Sequence, residues 1–315
     1  MAEFNLKRVN GVILGPIPEH QWESGAVFNP GTVAIDETVH LLYRAVEGEN
    51  YSTIGYARLT PEGKVLHREP EPVIKRTLPE EARGCEDPRI VPFEGKNYVF
   101  YTGYDGADVV MAIHSRIMLA ETEDFLTYTK HGRIGPDLQD KDAMIFPERL
   151  DGKIAFLHRV HPSIQIAWFD DMEELIHPPK DYWEKHLQNL EAHTVMKPEF
   201  KWEEKKIGAG APPIRTEAGW LMIYHGVDIQ HVYRAGAVLL DERNPQKVIA
   251  RLPYPILQPE TDYEKYGDVD NVVFPEGVVV FDDELFVYYG AADKVIGLAA
   301  GSVKKLVDEL WRHRI

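Results

Sequence analysis

The chain of 315 residues holds one cysteine, Cys85, so no disulfide can form within it. A lone thiol fits a reducing compartment, and a cytoplasmic protein is the expectation. No stretch approaches the roughly 18 apolar residues of a membrane span. The opening MAEFNLKRVNGVILGP lacks the long apolar core and small-residue cleavage site of a secretory leader. Positive charge is scarce, with 35 Lys and Arg against 51 Asp and Glu for a net charge of −16. So acidic a chain lacks the positive footprint that nucleic-acid phosphates demand, and neither nucleic acid nor membrane is expected as a partner. Several catalytic signatures are missing too. There is no HExxH and no GxSxG. HRVH from His158 spaces two imidazoles by three without a third ligand nearby, and DVD from Asp268 lacks the glycine and terminal glutamate of a calcium loop. GAGAPP from Gly208 puts Pro212 and Pro213 where a phosphate-binding helix would have to start. No metal and no organic cofactor is expected.

What is present is a folded composition, 44% hydrophobic and 27% charged, with 15 Tyr, 12 Phe and 6 Trp that suit flat, sugar-like ligands. One rhythm recurs in five segments beginning at Ala26, Glu86, Lys141, Gly208 and Asn271, roughly 55–70 residues apart. Each has an apolar strand, a polar turn (DET, EGK, DGK, EAG or DDE), a second strand ending in aromatic and small residues, and a third strand. Five similar β-sheets set radially would hide their edges within one domain. The expectation is an all-β fold: a five-bladed β-propeller over 1–315, with a short C-terminal helix over about 302–315 and two stacked sandwiches as the alternative. The helix follows from apolar residues at 303, 306, 307 and 310, spaced along one face, with Arg312 and Arg314 favourable near its end. DDMEELIHPPKDYWEKHLQNL, from Asp170, interrupts the rhythm, and Pro178 and Pro179 divide any helix there.

The first strand of each repeat opens on polar residues: Asn29, Glu86 to Arg89, Lys141 with Asp142, Lys206, and Asp270 with Asn271. The second strands add Arg44, Tyr104, Arg159, His225 and Asp293. In a propeller these strand ends converge on the central channel. Singly, each residue could be a turn former, a solvated charge or half of an ion pair; recurrence at one phase of five repeats argues for a shared site. One carboxylate among cations, amides and aromatics describes a site for a sugar and an anion, since Arg and Lys hold phosphate through charge-assisted hydrogen bonds. Inverting glycoside cleavage needs an acid for the leaving oxygen and a nucleophile on the opposite face. Water needs a second carboxylate to activate it, whereas phosphate needs only positioning. One acid with a cationic cluster thus suggests phosphorolysis, and two opposed acids would suggest hydrolysis.

GCEDPRI from Gly84, KDAMIFPE from Lys141, GAGAPPIRTEAGWLMIYHGVD from Gly208, YRAGAVLLD from Tyr233 and YYGAADKVIGLA from Tyr288 together resemble glycoside hydrolase family 130. That family holds β-mannoside phosphorylases and some β-mannosidases, and the resemblance runs from about Trp22 to Ala300. It implies a five-bladed propeller with its site at the central channel. It matches Asp87 to the family's catalytic acid, which passes its proton to the glycosidic oxygen through the mannose 3-hydroxyl. Asn29, Arg44 and Asp293 match positions that hold the sugar at the scissile end, and Tyr104 and Asp142 join them as substrate-binding candidates. Lys141, Arg159, Lys206, His225 and Tyr233 match the phosphate-binding set. Arginine is the commoner residue at the position of Lys141, and Lys205 and Lys201 lie close enough to Lys206 to stand in for it.

The expected activity is an inverting β-mannoside phosphorylase that uses inorganic phosphate as co-substrate. It would release α-mannose 1-phosphate from β-1,4- or β-1,2-linked manno-oligosaccharides or mannosyl-glucose. A β-mannosidase of the same family is the rival, and Glu276 in FPEG is the acid that would favour it if it faced the channel. A non-catalytic carbohydrate-binding propeller is the third reading. Linkage and acceptor are left to loops such as 105–116 and 170–200, and a helix or loop could assemble a homo-oligomer.

Overall fold

A computed structural model describes residues 3–48, 50–106 and 114–315. After β1 (Lys7–Leu14), the first unit comprises β2 (Ala26–Ile35), β3 (Thr38–Glu47), β4 (Tyr51–Leu59) and β5 (Val65–Arg68). The second holds β6 (Gly84–Phe93), β7 (Lys96–Tyr104), β8 (Ser115–Thr122) and β9 (Thr129–Arg133). The third holds β10 (Lys141–Ile145), β11 (Ile154–Arg159), β12 (Ile164–Phe169) and β13 (Thr194–Met196), with α1 (Met172–Ile176) and α2 (Tyr182–Gln188) inserted before β13. The fourth contains β14 (Lys206–Ala209), the short β15 (Ile214–Thr216), β16 (Gly219–Val227), β17 (Tyr233–Leu240) and β18 (Val248–Arg251). After α3 (Asp262–Lys265), the fifth has β19 (Val273–Phe281), β20 (Glu284–Ala291) and β21 (Val295–Ser302), and α4 (Val303–Arg312) ends the chain's regular structure.

Each unit is an antiparallel meander. Four sheets result, because the first two units are joined into one by a single parallel pairing of Ser52 with Gly84. The N-terminal β1 completes the fifth sheet by pairing antiparallel with β21, so strands from both ends of the chain share it. Hairpin chemistry follows the polar turns. Glu94–Gly95 (φ 49° and 85°) and Asp151–Gly152 (φ 48° and 81°) are left-handed pairs in two-residue loops, the conformation whose twist matches that of antiparallel strands.

The first strands are neighbours in a circuit: β19 lies against β2, β2 against β6, β6 against β10, β10 against β14, and β16 and β17 against β19. The hydrophobic core is divided in the same order. One cluster joins the second, third and fourth units around Phe156 and Trp220, another the fourth and fifth around Leu239 and Val287. Others join the fifth to the first around Tyr288 and Leu41, and the first to the second around Leu42 and Val99. In α4, Ser302 Oγ accepts from the Lys305 amide at 3.1 Å and caps the helix, while Leu306 and Leu310 are buried against the fourth and fifth units. The helix stops at Arg312, so Arg314 lies past it.

Four units share a buried latch that the strand pattern did not announce. A glutamate from the turn preceding the unit accepts from a tyrosine hydroxyl of the second strand: Tyr43 to Glu23 (2.9 Å), Tyr101 to Glu81 (2.6 Å), Tyr224 to Glu203 (2.8 Å) and Tyr289 to Glu264 (2.7 Å). A cation from the outermost strand completes each one: Arg68, Lys130, Arg251 and Arg8.

Candidate active site

A cavity of about 160 Å³ lies where the first strands meet, lined by Asn29, Arg44, Asp87, Lys141, Asp142, Arg159, Lys206, His225, Tyr233 and Asp293 together with Val269, Val272 and Phe274. Ten candidates from five sequence segments thus line one space. Local backbone explains how the first strands deliver them. Pairing to the second strand slips by one residue after Phe28, Glu86, Lys141 and Pro275. Asn29 (φ 47°), Asp87 (φ 52°) and Asp142 (φ 55°) occupy these bulges in left-handed conformation, which Asn and Asp tolerate better than other non-glycine residues. Each bulge swings a polar side chain off the sheet and into the centre. In the fifth unit Pro275 stands where Asn29 and Asp87 do, and Glu276 follows it as the unpaired residue of the slip. The fourth unit has no slip; there Gly208 pairs with His225, and a methyl group on Gly208 would collide with Asp142 and His225.

Register also locates the second-strand residues. Those opposite Phe28, Glu86, Lys141, Gly208 and Phe274 are Arg44, Thr102, Arg159, His225 and Gly290. Tyr104 is two residues beyond this phase, opposite Gly84, and does not line the cavity; its ring meets His114 edge-on at 6.1 Å. Asp293 is past β20, in the turn to β21, yet it reaches the cavity. Asp270 and Asn271 do not line it, although the Asn271 carbonyl accepts from the Tyr233 amide at 3.0 Å. Of the segment 105–116, residues 107–113 lie outside the described residues.

At one end Asp87 Oδ1 accepts from Asn29 Nδ2 at 2.8 Å and lies 3.6 Å from an Arg44 nitrogen. Arg44 also pairs with Glu86 at 2.7 Å. Burial would push the Asp87 carboxyl up, but Arg44, Lys141, the Asn29 hydrogen bond and Arg89 together hold it below the ordinary aspartate range. Asp293 has the opposite balance. Burial, helped by Asp87 and Glu86, raises it to about 6 against the pull of Arg44 and Lys141.

At the other end, Arg159 Nε is 3.0 Å and His225 Nε2 3.7 Å from Asp142 Oδ2. Arg159, with His225 and Arg89 assisting, outweighs burial and depresses Asp142 far below its usual range. Burial, with Arg159, Lys206 and Arg89 adding to it, drives His225 well below its usual value despite Asp142, so the ring is neutral. Lys206 lies over the Tyr233 ring at 5.1 Å and is brought down to about 8 by burial and by Arg159 and Lys141. Lys205 instead faces His231, which settles the choice between the two lysines.

Two residues lie under the cavity rather than in its lining: Arg89, from the polar opening of the second repeat, and Glu276, the acid on which the hydrolase reading turns. Arg89 donates to the Gly210, Ala209 and Asp87 carbonyls and to Asp142 Oδ1 (3.1 Å), and is 3.1 Å from Glu276 Oε1. Glu276 is fully buried and absent from the cavity lining; burial raises its carboxyl well above the usual range, with Asp87 and Asp142 assisting against Arg89 and Arg44. FPEG occupies in the fifth unit the place of EDPR in the second, which sets Pro275 at the position of Asp87 and Glu276 at that of Pro88.

Polar atoms buried without a hydrogen bond concentrate here among the described residues: Asn29 Oδ1, Asp142 Oδ2, Arg159 Nε, both His225 nitrogens and both Glu276 oxygens. Such orphans are costly in a finished core and mark a surface shaped to meet a polar ligand. A carboxylate with an amide and an arginine at one end, and cations at the other, can hold a hydroxylated ring beside a small anion. Among the described residues no cluster of three or more His, Cys, Asp or Glu is arranged to hold a metal ion.

Comparison with known proteins gives a consistent result. A family model described as beta-1,4-mannooligosaccharide phosphorylase, that of glycoside hydrolase family 130, matches residues 14–312. A 1,2-beta-oligomannan phosphorylase of Thermoanaerobacter sp. is 40% identical over 96% of this chain and 99% of the relative. A beta-1,2-mannobiose phosphorylase of the same organism is 42% identical, again over 96% and 99%. In fold, the chain resembles the beta-1,2-mannobiose phosphorylase from Listeria innocua in complex with beta-1,2-mannobiose, at a TM-score of 0.81 and 24% identity over 97% of this chain and 99% of that one.

Proposed function

Because the chain belongs to glycoside hydrolase family 130, we propose that it is an inverting phosphorylase acting first on β-1,2-linked manno-oligosaccharides. It is an enzyme that cleaves β-mannosides with inorganic phosphate as co-substrate. The β-1,2 linkage is favoured over β-1,4 by the two relatives matched over almost their whole length. The circuit of first strands, with a core cluster between each pair of neighbours, supports a five-bladed β-propeller forming one domain over 1–315. The lone, buried Cys85 supports a cytoplasmic setting, and no helix among the described residues is long and apolar enough to cross a membrane.

The observation that carries the reaction is the charge layout of the cavity: Asp87 with Asn29 and Arg44 at one end, Arg159 and Lys206 near Asp142 at the other, and Lys141, 3.6 Å from Glu86, acting on both Asp87 and Lys206. Phosphate held by those cations attacks the anomeric carbon of the mannosyl residue from the face opposite the scissile bond. The carbon–oxygen bond to the leaving sugar breaks, its oxygen takes the proton of Asp87 relayed through the mannose 3-hydroxyl, and α-mannose 1-phosphate results. Asn29, Arg44 and Asp293 hold the mannosyl ring. His225, being neutral, can donate one hydrogen bond to a phosphate oxygen, and Tyr233 closes the side next to Lys206. Asp142 orients Arg159 and His225.

Hydrolysis would need a basic carboxylate facing water. Asp142 is too weakly basic, and Glu276 lies buried beneath Arg89, outside the cavity lining. Asp293, at about 6, is the carboxyl whose basicity suits that task, and it is why the hydrolase reading is tested alongside. The test is cleavage of β-1,2- and β-1,4-mannobiose with and without phosphate, following mannose 1-phosphate. Phosphate-dependent product from the β-1,2 disaccharide is expected. Free mannose released equally fast in both buffers would replace the phosphorylase by a hydrolase.

A further inference from the structure

The third unit departs from the latch that the other four share. Its second strand carries His158 where they carry tyrosine, one residue before the cavity position, and its acid is Asp140. Asp140 Oδ2 lies 2.7 Å from His158 Nδ1, and His158 Nε2 lies 3.0 Å from His186 Nε2 on α2. The carboxylate fixes Nδ1 of His158 as a donor, which leaves Nε2 to accept from His186. His186 in turn stacks on His193 at 4.2 Å. Asp140, His158 and His186 are all buried.

The second oxygen of the acid separates this latch from the others. Glu81, Glu203 and Glu264 accept from backbone amides of their own turns: Thr77 and Leu78, Glu199 and Phe200, Glu260 and Thr261. Asp140 Oδ1 accepts instead from the amides of Lys141 (2.8 Å) and Arg159 (2.9 Å). A single carboxylate therefore pins together the backbone of two cations that line the cavity and face each other in register across β10 and β11.

We propose that Asp140, His158 and His186 form a positioning line for the phosphate subsite, tying Lys141 and Arg159 to the helical insertion between β12 and β13. None of the three lines the cavity, so they act through the two cations. The inference rests on the phosphorylase reading, and it gives the insertion a role in co-substrate affinity rather than in choosing the leaving sugar. Losing one charge-assisted contact here displaces both cations, and an effect of about tenfold is on the scale of such a bond.

The test is steady-state kinetics of the unaltered chain, Asp140→Asn and His186→Leu, varying phosphate at saturating β-1,2-mannobiose and then the reverse. Expected is a phosphate KM raised about tenfold in Asp140→Asn and about threefold in His186→Leu, with kcat and the mannobiose KM within about twofold. A merely structural role would lower the active fraction and leave both KM values alone. An unmoved phosphate KM in a folded variant, or equal rises in both KM values, overturns the proposal. Should Asp140→Asn fail to fold, His186→Leu decides by the same criteria. Phosphate-independent turnover by the unaltered chain is a different result, which removes the phosphorylase reading and this inference with it.

Discussion

Asp87 is a carboxylate in the empty cavity because Arg44 and Lys141 outweigh its burial, yet the proposed chemistry needs it protonated. Phosphate supplies the difference. A dianion at the cationic end offsets the charges that hold Asp87 down and restores full charge to Lys206, which sits near 8 when the cavity is empty. Phosphate binding should therefore take up protons, which calorimetry in buffers of different ionisation heat measures. Net proton release would contradict this, and Asp87→Asn should retain only the share belonging to Lys206. The same variant should lose on the order of 10²–10⁴-fold in kcat, the usual contribution of a positioned acid, while still binding mannobiose. Unchanged turnover would remove Asp87 from the mechanism. Asp293 gives a prediction about stability. Its folded value of about 6 lies above its unfolded one near 3.8, so the folded state binds more protons between those limits and loses stability as pH rises through them. Asp293→Asn should melt higher than the unaltered chain at pH 7–8 and equally at pH 4. A lower melting point at neutral pH would mean that Arg44 more than offsets the burial.

At the scale of elements, the latches and the bulges do separate work. Glu203 and Arg251 are buried partners, bound together with Tyr224 on the face of β16 opposite the cavity. Glu203→Gln leaves the arginine charge poorly matched and should destabilise the fold by about 3–5 kcal/mol in denaturant titration, with kcat of the folded fraction unchanged. The bulges show the reverse pattern, since they sit at the cavity and govern function. Strand existence was legible from the sequence because alternation and turn residues are local signals. The bulges were not, since a one-residue slip depends on what the neighbouring strand pairs with. Tyr104 is a separate matter of phase: counted from the hairpin turns, Arg44 of the first unit matches Thr102 of the second, and Tyr104 lies two residues further on.

The whole molecule carries a net charge of −16 around a cavity furnished with Lys141, Arg159 and Lys206. Its general field repels phosphate, so affinity must arise at short range within the cavity, where the low dielectric strengthens each contact. The first strands form a circuit, and β1 pairs with β21, so removing residues 1–14 would strip the outer strand from the fifth sheet and the Arg8 partner of Glu264. Calorimetry of the full chain should show one cooperative transition, as the proposed single domain requires. The shortened chain should melt well below it, and two separate transitions in the full chain would mean that the units fold apart.

Residue order alone determined the five-fold β rhythm, the turns and the family resemblance, because hydrophobic alternation, left-handed turn residues and contiguous motifs are all written within a few positions. It also supplied ten of the cavity residues, nine through the polar strand ends of the repeats and Tyr233 through the family resemblance alone. Tertiary structure decided what depends on distance across units. It set Lys206 apart from Lys205, left Tyr104 outside the cavity lining, placed Glu276 beneath Arg89 and outside that lining, and turned HRVH from an unused motif into the His158 link of a buried line. Protonation states and close contacts arise from charges brought together from separate sheets, and only the packed circuit of first strands brings them together.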